Sequence, residues 1–402
     1  MAGSGTATIL QTRWLAARHS FPKVQTLYSF ERSEKGHNGF IDRNEGPVPL
    51  DWGCGRVFDR LSMACKRAVF VFGKEKRGVL LSRVLITGAN SGIGRATAVY
   101  LARQGHRVWA GIRNMDKAAG LADEARKENL PIKVVALDVT EDLSVREAVQ
   151  HVVKEGGGID VLVNNAGIGG SGVVEDIDLE ASQAIFETNF WGVIRCTQAV
   201  LPGMREQQSG HVINISSFLG KLAGFGQVAY SASKWSLECL SESLAQEVAP
   251  FGIRVSIVQA GSTHTQIISN AVKRSVEAPQ ASAVYEDFYR RTTRLYEHGW
   301  RDAAPPLEVA KTILQVMEDP AARLRYPCAW GADDLITARS RMSEEDWVSL
   351  GKAETDEAYY ARFQELFGLD ISSPVTFVSN RGWRGRLRRL KRRFLRWSTA
   401  SR

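Results

Sequence analysis

From residue 81 onward the chain alternates short, β-branched apolar runs with helical stretches at steady intervals, and no other feature constrains the fold as much. A strand covered on both faces reads as an unbroken apolar run, and each step to a parallel neighbour needs a crossover, usually a helix. The expected fold is therefore α/β: a doubly wound parallel sheet with helices on both faces. Strands are expected at 83–87, 107–112, 133–137, 161–164, 211–215 and 254–258, and helices at 93–104, 116–128, 142–155, 181–207 and 229–249.

Residues 262–306 break this rhythm. The segment carries Tyr285, Phe288, Tyr289, Tyr296 and Trp300 before Pro305-Pro306, and a connection of that length reads as a helical lid over a binding site. Further helices are expected at 307–318 and 343–368, with Arg325-Tyr326-Pro327 ending a last strand between them. The chain thus divides into a poorly ordered extension over 1–80, a Rossmann-like α/β domain over 81–370 and a tail over 371–402.

The net charge of +8 is unevenly placed. Residues 1–80 hold 13 Lys/Arg against 7 Asp/Glu, and residues 381–402 hold 10 against none, which leaves the central body at −8. A basic partner-seeking body is thereby excluded, and nucleic acid is not an expected partner because no nucleic-acid fold accompanies the charge. In the tail, Trp383, Leu387, Leu390, Phe394 and Trp397 recur at helical spacing among Arg and Lys, the pattern of a helix lying at an anionic membrane surface. Five scattered cysteines with no C-x-x-C pair point to a reducing compartment and no metal site, so the expected location is cytoplasmic, with peripheral membrane contact through the tail. Residues 1–30 lack acids and contain Arg13, Arg18 and Lys23, which leaves organelle targeting open beside a plain disordered extension or a start at Met63.

The first strand runs straight into Thr87-Gly88-Ala89-Asn90-Ser91-Gly92-Ile93-Gly94 and then a helix. Glycines there let the backbone turn tightly and approach a pyrophosphate, which rests on the positive end of the helix. After the second strand the chain reads Gly111-Ile112-Arg113-Asn114. An Arg in this place pairs with a 2′-phosphate where an acid would accept from a 2′-hydroxyl, so NADP(H) is favoured and NAD(H) is the alternative. Asp138, just past the third strand, is placed either to meet the adenine edge or to cap the next helix.

Further on come Asn164-Asn165-Ala166-Gly167, then Asn189, Ser216-Ser217, and Tyr230-Ser231-Ala232-Ser233-Lys234 opening a helix. Tyr230 and Lys234 are four apart and share a face, which sets an ammonium beside a phenol whose ordinary pKa near 10 is too high for easy proton exchange. With these motifs in this order, the sequence resembles the short-chain dehydrogenase/reductase family in its single-domain, Rossmann-like form, over about residues 81–330. The strand segments and aromatic lid resemble the branch containing hydroxysteroid and retinol dehydrogenases.

The resemblance implies a catalytic set of Asn189, Ser217, Tyr230 and Lys234, with Tyr230 as acid/base, Ser217 on the substrate oxygen, Lys234 on the nicotinamide ribose and Asn189 steadying a relay water. It implies cofactor contacts from Gly88, Asn90, Ser91, Gly92, Ile93, Gly94, Arg113, Asp138, Val139, Asn165, Ala166, Gly167, Tyr230, Lys234, Gly261 and Thr265. The chain departs from the family at Gln259-Ala260-Gly261-Ser262-Thr263-His264-Thr265, where Pro-Gly is usual. Loss of that proline predicts a less constrained nicotinamide-side loop; His264 reads as a plain loop residue. The expected activity is NAD(P)(H)-dependent hydride transfer on a lipophilic alcohol, ketone or aldehyde, by a homo-oligomer as in most relatives. A dinucleotide-binding module without turnover is the alternative.

Overall fold

Seven strands pair in one sheet: β1 (Arg83–Thr87), β2 (Arg107–Ile112), β3 (Ile132–Ala136), β4 (Val161–Asn164), β5 (Gly210–Ser217), β6 (Ile253–Ala260) and β7 (Arg325–Cys328). Their order is β3-β2-β1-β4-β5-β6-β7, with every neighbouring pair parallel. The computed structural model describes residues 81–224, 226–267, 283–321 and 323–375. The expected N-terminal extension, part of the lid and the amphipathic tail fall outside the described residues.

The crossovers are α1 (Gly92–Arg103), α2 (Ala119–Lys127), α3 (Asp142–Gly156), α4 (Leu179–Phe186) with α5 (Gly192–Glu206), and α6 (Val228–Val248). Alternation along each strand sends side chains to opposite faces, and both faces are covered. On one side Val84 and Ile86 of β1 pack with Ala98 and Leu101 of α1 and with Val309 and Ile313 of α8 (Pro306–Glu318). On the other, Leu85, Leu162 and Val212 pack with Val149 of α3, Val200 of α5 and Leu244 of α6. Burial of each such Val, Leu or Ile side chain stabilises the fold by about 1.5–3 kcal/mol before entropy is counted. Pro327, which has no N–H to give a ladder, is tolerated because β7 is the last strand of the sheet.

The expected helix over 181–207 is interrupted. Residues Glu187–Trp191 form a π-helical turn between α4 and α5, a local widening that re-aims side chains and has no periodicity signature in sequence. The expected helix over 343–368 is two, α10 (Glu344–Ser349) and α11 (Asp356–Phe367). Each has its own start signal: Ser343 Oγ accepts from Asp346 N–H (3.0 Å) and Thr355 Oγ1 from Ala358 N–H (3.2 Å). An unexpected helix, α9 (Ala332–Arg341), opens with Asp333 and Asp334 in its first turn and carries Arg339 and Arg341 in its last, which complements its dipole.

Within the expected lid, α7 (Glu286–Arg301) is the main described element. Buried Arg291 donates to Asp356 Oδ1 (2.9 Å) and Ala353 O (3.0 Å), and His298 Nε2 pairs with Ser373 O (2.8 Å), so α7 is tied to α11 and to the segment beyond it. At the other end of α7, Tyr289 Oη accepts from Val173 N–H (3.1 Å). Among the described residues no helix is long and apolar enough to cross a membrane, and no cluster of His, Cys, Asp or Glu is arranged to hold a metal.

Candidate active site

The strand order reverses between β1 and β4, and in such sheets the ligand crevice opens at the carboxyl ends of the strands at this switch point. The loops after β1 and β4 meet there. Gly88 has φ +65°, and a Cβ on it would lie 2.9 Å from Ala166 Cα. On Gly94 a Cβ would lie 2.4 Å from Asn165 Nδ2 and 2.5 Å from Gly88 O. Asn165 is the knot: its Nδ2 donates to Thr87 O (2.8 Å) and Gly88 O (3.2 Å), while the amides of Asn165 and Ala166 donate to Thr87 Oγ1 (3.0 and 2.9 Å). No side chain caps α1, so its first-turn amides keep the positive end that suits a pyrophosphate.

These loops form one side of a cavity of about 820 Å³. Gly88, Asn90, Ser91, Gly92, Ile93, Arg113, Asp138, Val139, Asn165, Ala166, Gly167, Gly261 and Thr265 all line it. The glycine-lined cradle and the open helix end fit a dinucleotide. Asp138 does not cap α3: its Oδ1 accepts from Thr140 N–H (3.0 Å) and Thr140 Oγ1 (2.8 Å), closing a turn before that helix begins at Asp142. Arg113 reaches to within 3.9 Å of Asp138 Oδ2 with its side chain 66 % exposed, which leaves most of the guanidinium open to the cavity rim.

Ser217, Tyr230 and Lys234 also line the cavity. The end of β5 presents Ser217 and the first turn of α6 presents Tyr230, close enough for the Ser217 hydroxyl to act on the phenol. Burial pushes the Tyr230 phenol up to about 12, against a downward pull from Ser217. Burial pushes the Lys234 ammonium down to about 8, with Glu238 opposing it. Lys234 Nζ donates to Ile215 O (2.8 Å) and lies 5.8 Å from the centre of the Tyr230 ring. Asn189, in the π-helical turn, accepts from Ile168 N–H (2.9 Å) and donates to Ile168 O (3.0 Å) and Ser233 Oγ (3.0 Å). It therefore fixes the loop after β4 to α6, one residue before Lys234. Ser216 turns its hydroxyl toward Gly220, where a Cβ would lie 2.7 Å from it.

The loop after β6 is more constrained than loss of its proline suggests. Gly261 N–H donates to Cys328 O (2.8 Å) and Ser262 N–H to Trp330 O (2.9 Å), while Thr263 bridges to Ala304. Contacts from the end of β7, from Trp330 just beyond it and from Ala304 before α8 thus replace the rigidity of a proline ring. Thr265 lies against Gly92, where a Cβ would be 3.2 Å from its Cγ2. His264 is exposed and stacks edge-on to Trp300, with ring centres 4.8 Å apart, as suits a loop residue.

The far wall of the cavity is apolar. It is built from Leu219 and Leu222 after β5, Leu295 and Tyr296 of α7, Leu335 of α9, and Tyr359, Phe363 and Phe367 of α11. The last two rings stack with centres 4.6 Å apart. Burial raises the Tyr296 phenol, and the charge of neighbouring Tyr230 adds to the push. The α11 aromatics were not singled out from sequence, although their spacing of four on a helix is the signal that marks them as one face.

A parallel sheet with a glycine cradle at its switch point, and a Ser-Tyr-Lys group beside it, defines a nucleotide-dependent oxidoreductase. Comparison with known proteins is more specific. The family model described as short chain dehydrogenase matches residues 82–275. An uncharacterized oxidoreductase, YusZ, of Bacillus subtilis is 36% identical over 67% of this chain and 96% of its own. Retinol dehydrogenase 8 of Bos taurus is 36% identical over 60% of this chain and 80% of its own. Among solved structures, actinorhodin polyketide ketoreductase with NADPH superposes with a TM-score of 0.54 at 29% identity, over 63% of this chain and 97% of that one. The chain belongs to the short-chain dehydrogenase/reductase family, in the hydroxysteroid and retinol dehydrogenase-like branch, and is a dehydrogenase/reductase acting on CH–OH and C=O groups.

Proposed function

We propose that this enzyme interconverts a lipophilic ketone or aldehyde and its alcohol with NADP(H), using Tyr230 as acid/base. The observation that carries this reading is one cavity with a glycine-lined half and an aromatic half, with Tyr230, Ser217 and Lys234 lining it as well. The nicotinamide, when bound, supplies or takes the hydride. Tyr230 Oη gives its proton to the carbonyl oxygen in reduction and takes it back in oxidation. Ser217 Oγ donates a second hydrogen bond to that oxygen, where negative charge develops. Lys234 holds the nicotinamide ribose and places positive charge near the phenol, while Asn189 fixes the backbone against which both act. A relative named retinol dehydrogenase, and the aromatic wall of α11, support a lipophilic substrate.

The test is NADPH turnover with a homologous series of ketones. Each methylene buried on the apolar wall contributes about 0.8 kcal/mol, so kcat/KM is expected to rise about tenfold for every two carbons until the wall is covered. A flat response across the series overturns the lipophilic substrate. For the cofactor, Arg113→Asp is expected to weaken NADPH binding by about tenfold or more, the scale of a charge-assisted phosphate contact, with NADH little affected. The ratio of the two dissociation constants reads this directly; an unmoved ratio returns NAD(H) as the natural cofactor.

A further inference from the structure

Glu238 stands one turn beyond Lys234 on α6 and is 3 % exposed. A carboxylate this deep is costly to bury without partners. Gln259 Nε2 donates to its Oε1 (3.0 Å), Arg325 Nε donates to its Oε2 (2.8 Å), and Lys221 Nζ lies 3.6 Å from Oε2. These arrive from the end of β6, from β7 and from the turn after β5. Arg325 also pairs with Glu242, one further turn along α6.

Two links run from Glu238 to the site, one through Gln259 and one along α6 to Lys234. Gln259 is followed directly by Ala260 and Gly261, both of which line the cavity, so its tie to Glu238 sets the strand end from which the nicotinamide-side loop departs. Glu238 and Lys234, four apart, share a helix face. The Lys234 ammonium donates to Ile215 O and makes no salt bridge with Glu238, so the carboxylate acts on it across space, in a buried region where screening is weak.

We propose that Glu238 is a positioning residue, whose charge keeps Lys234 an ammonium and whose bond to Gln259 holds the nicotinamide-side loop in register. This rests on the role given above to Lys234. Burial drives the Lys234 ammonium toward its neutral form and the Glu238 carboxylate resists this. The other charged or titratable groups around the pair are Tyr230 on α6, Tyr296 on α7, and Lys221, Arg325 and Glu242 about Glu238. With the phenol of Tyr230 near 12 and Lys234 near 8, rising pH discharges Lys234 first, so the alkaline limb of the activity profile reports it.

The experiment is the pH profile of kcat/KM for ketone reduction in the full chain, for wild type, Glu238→Gln and Lys221→Gln, with melting temperatures and the Tyr230→Phe variant alongside. Glu238→Gln keeps the shape and an acceptor while removing the charge, and is expected to move the alkaline limb down by about one pH unit. Lys221→Gln removes a cation from a side chain that is 31 % exposed, so it is expected to fold normally and move the limb up by a smaller amount. Unmoved limbs in both variants, whatever happens to the melting temperature, overturn the proposal, and an unmoved or lowered limb in Lys221→Gln does so even if Glu238→Gln does not fold. Undiminished turnover in Tyr230→Phe is a different failure, because it overturns the reading of the reacting groups themselves.

Discussion

Tyr230→Phe is expected to fold, to bind NADPH as the wild type does, and to lose turnover by about 10² or more, the scale of a lost proton-transfer group. The ring packs against the C-terminal aromatic cluster and survives the substitution, so the packing is unchanged. What goes is one hydroxyl, on which Ser217 acts. That serine keeps a second role, since its Oγ accepts from Leu219 N–H (3.2 Å), so the turn after β5 stays in place. The phenol, raised to about 12 by burial, is protonated across the neutral range and stands ready as a donor for reduction. In the proposed mechanism oxidation uses the phenolate and leans more heavily on the Lys234 ammonium, so the variant and any loss of Lys234 charge are expected to hurt oxidation at least as much as reduction. Turnover with lipophilic ketones, set beside the NADPH dissociation constant, measures the effect. A loss below tenfold removes Tyr230 from the acid/base role.

The parts of this fold that follow a period were legible in the sequence. β1, β2 and β4 have the expected bounds because an apolar strand flanked by a glycine loop or a charged turn has clear ends. β5 and β6 run longer than expected, to Ser217 and Ala260, because the parallel ladder between them continues past the apolar run into polar residues. The interruption at Glu187–Trp191 was not legible: a π-helical turn differs from its neighbours by about one residue per turn, and the three hydrogen bonds that Asn189 makes from it reach residues distant in sequence. Ser217, Tyr230 and Lys234 were found through motif order. Glu238, Gln259 and Arg325 were not, because 66 residues separate Gln259 from Arg325 and only the sheet order brings them to one carboxylate.

The same sheet order explains how the C-terminal third serves the site. β7 adds to the edge next to β6, and the chain that leaves it both clamps the loop after β6 through Trp330 and feeds α9, α10 and α11 onto the mouth of the cavity. One segment thus shapes the cofactor side and supplies the apolar wall, so changes near Trp330 reach both.

Gly261→Ala is the sharpest probe of that coupling. A Cβ at 261 would lie 2.0 Å from Trp330 O, 2.8 Å from Trp330 C and 3.0 Å from Ala329 O. All three are backbone atoms, so no rotamer change relieves the overlap. The loop must move away, and doing so breaks the bonds from Gly261 N–H to Cys328 O and from Ser262 N–H to Trp330 O. Overpacking together with two strained hydrogen bonds is expected to cost about 3 kcal/mol of stability. Because Thr265, on the same loop, lies against Gly92, NADPH affinity is expected to fall by about tenfold or more as well. The control is Gly203→Ala on α5, where a Cβ meets nothing within 4 Å and an alanine inside a helix is favoured over glycine by about 0.5–1 kcal/mol. Thermal melts and cofactor titrations of both variants separate the effects: Gly203→Ala is expected to melt at or above the wild-type temperature with unchanged affinity. If Gly261→Ala behaves the same way, the loop after β6 yields freely, and the clamp from Trp330 does not stand in for the missing proline.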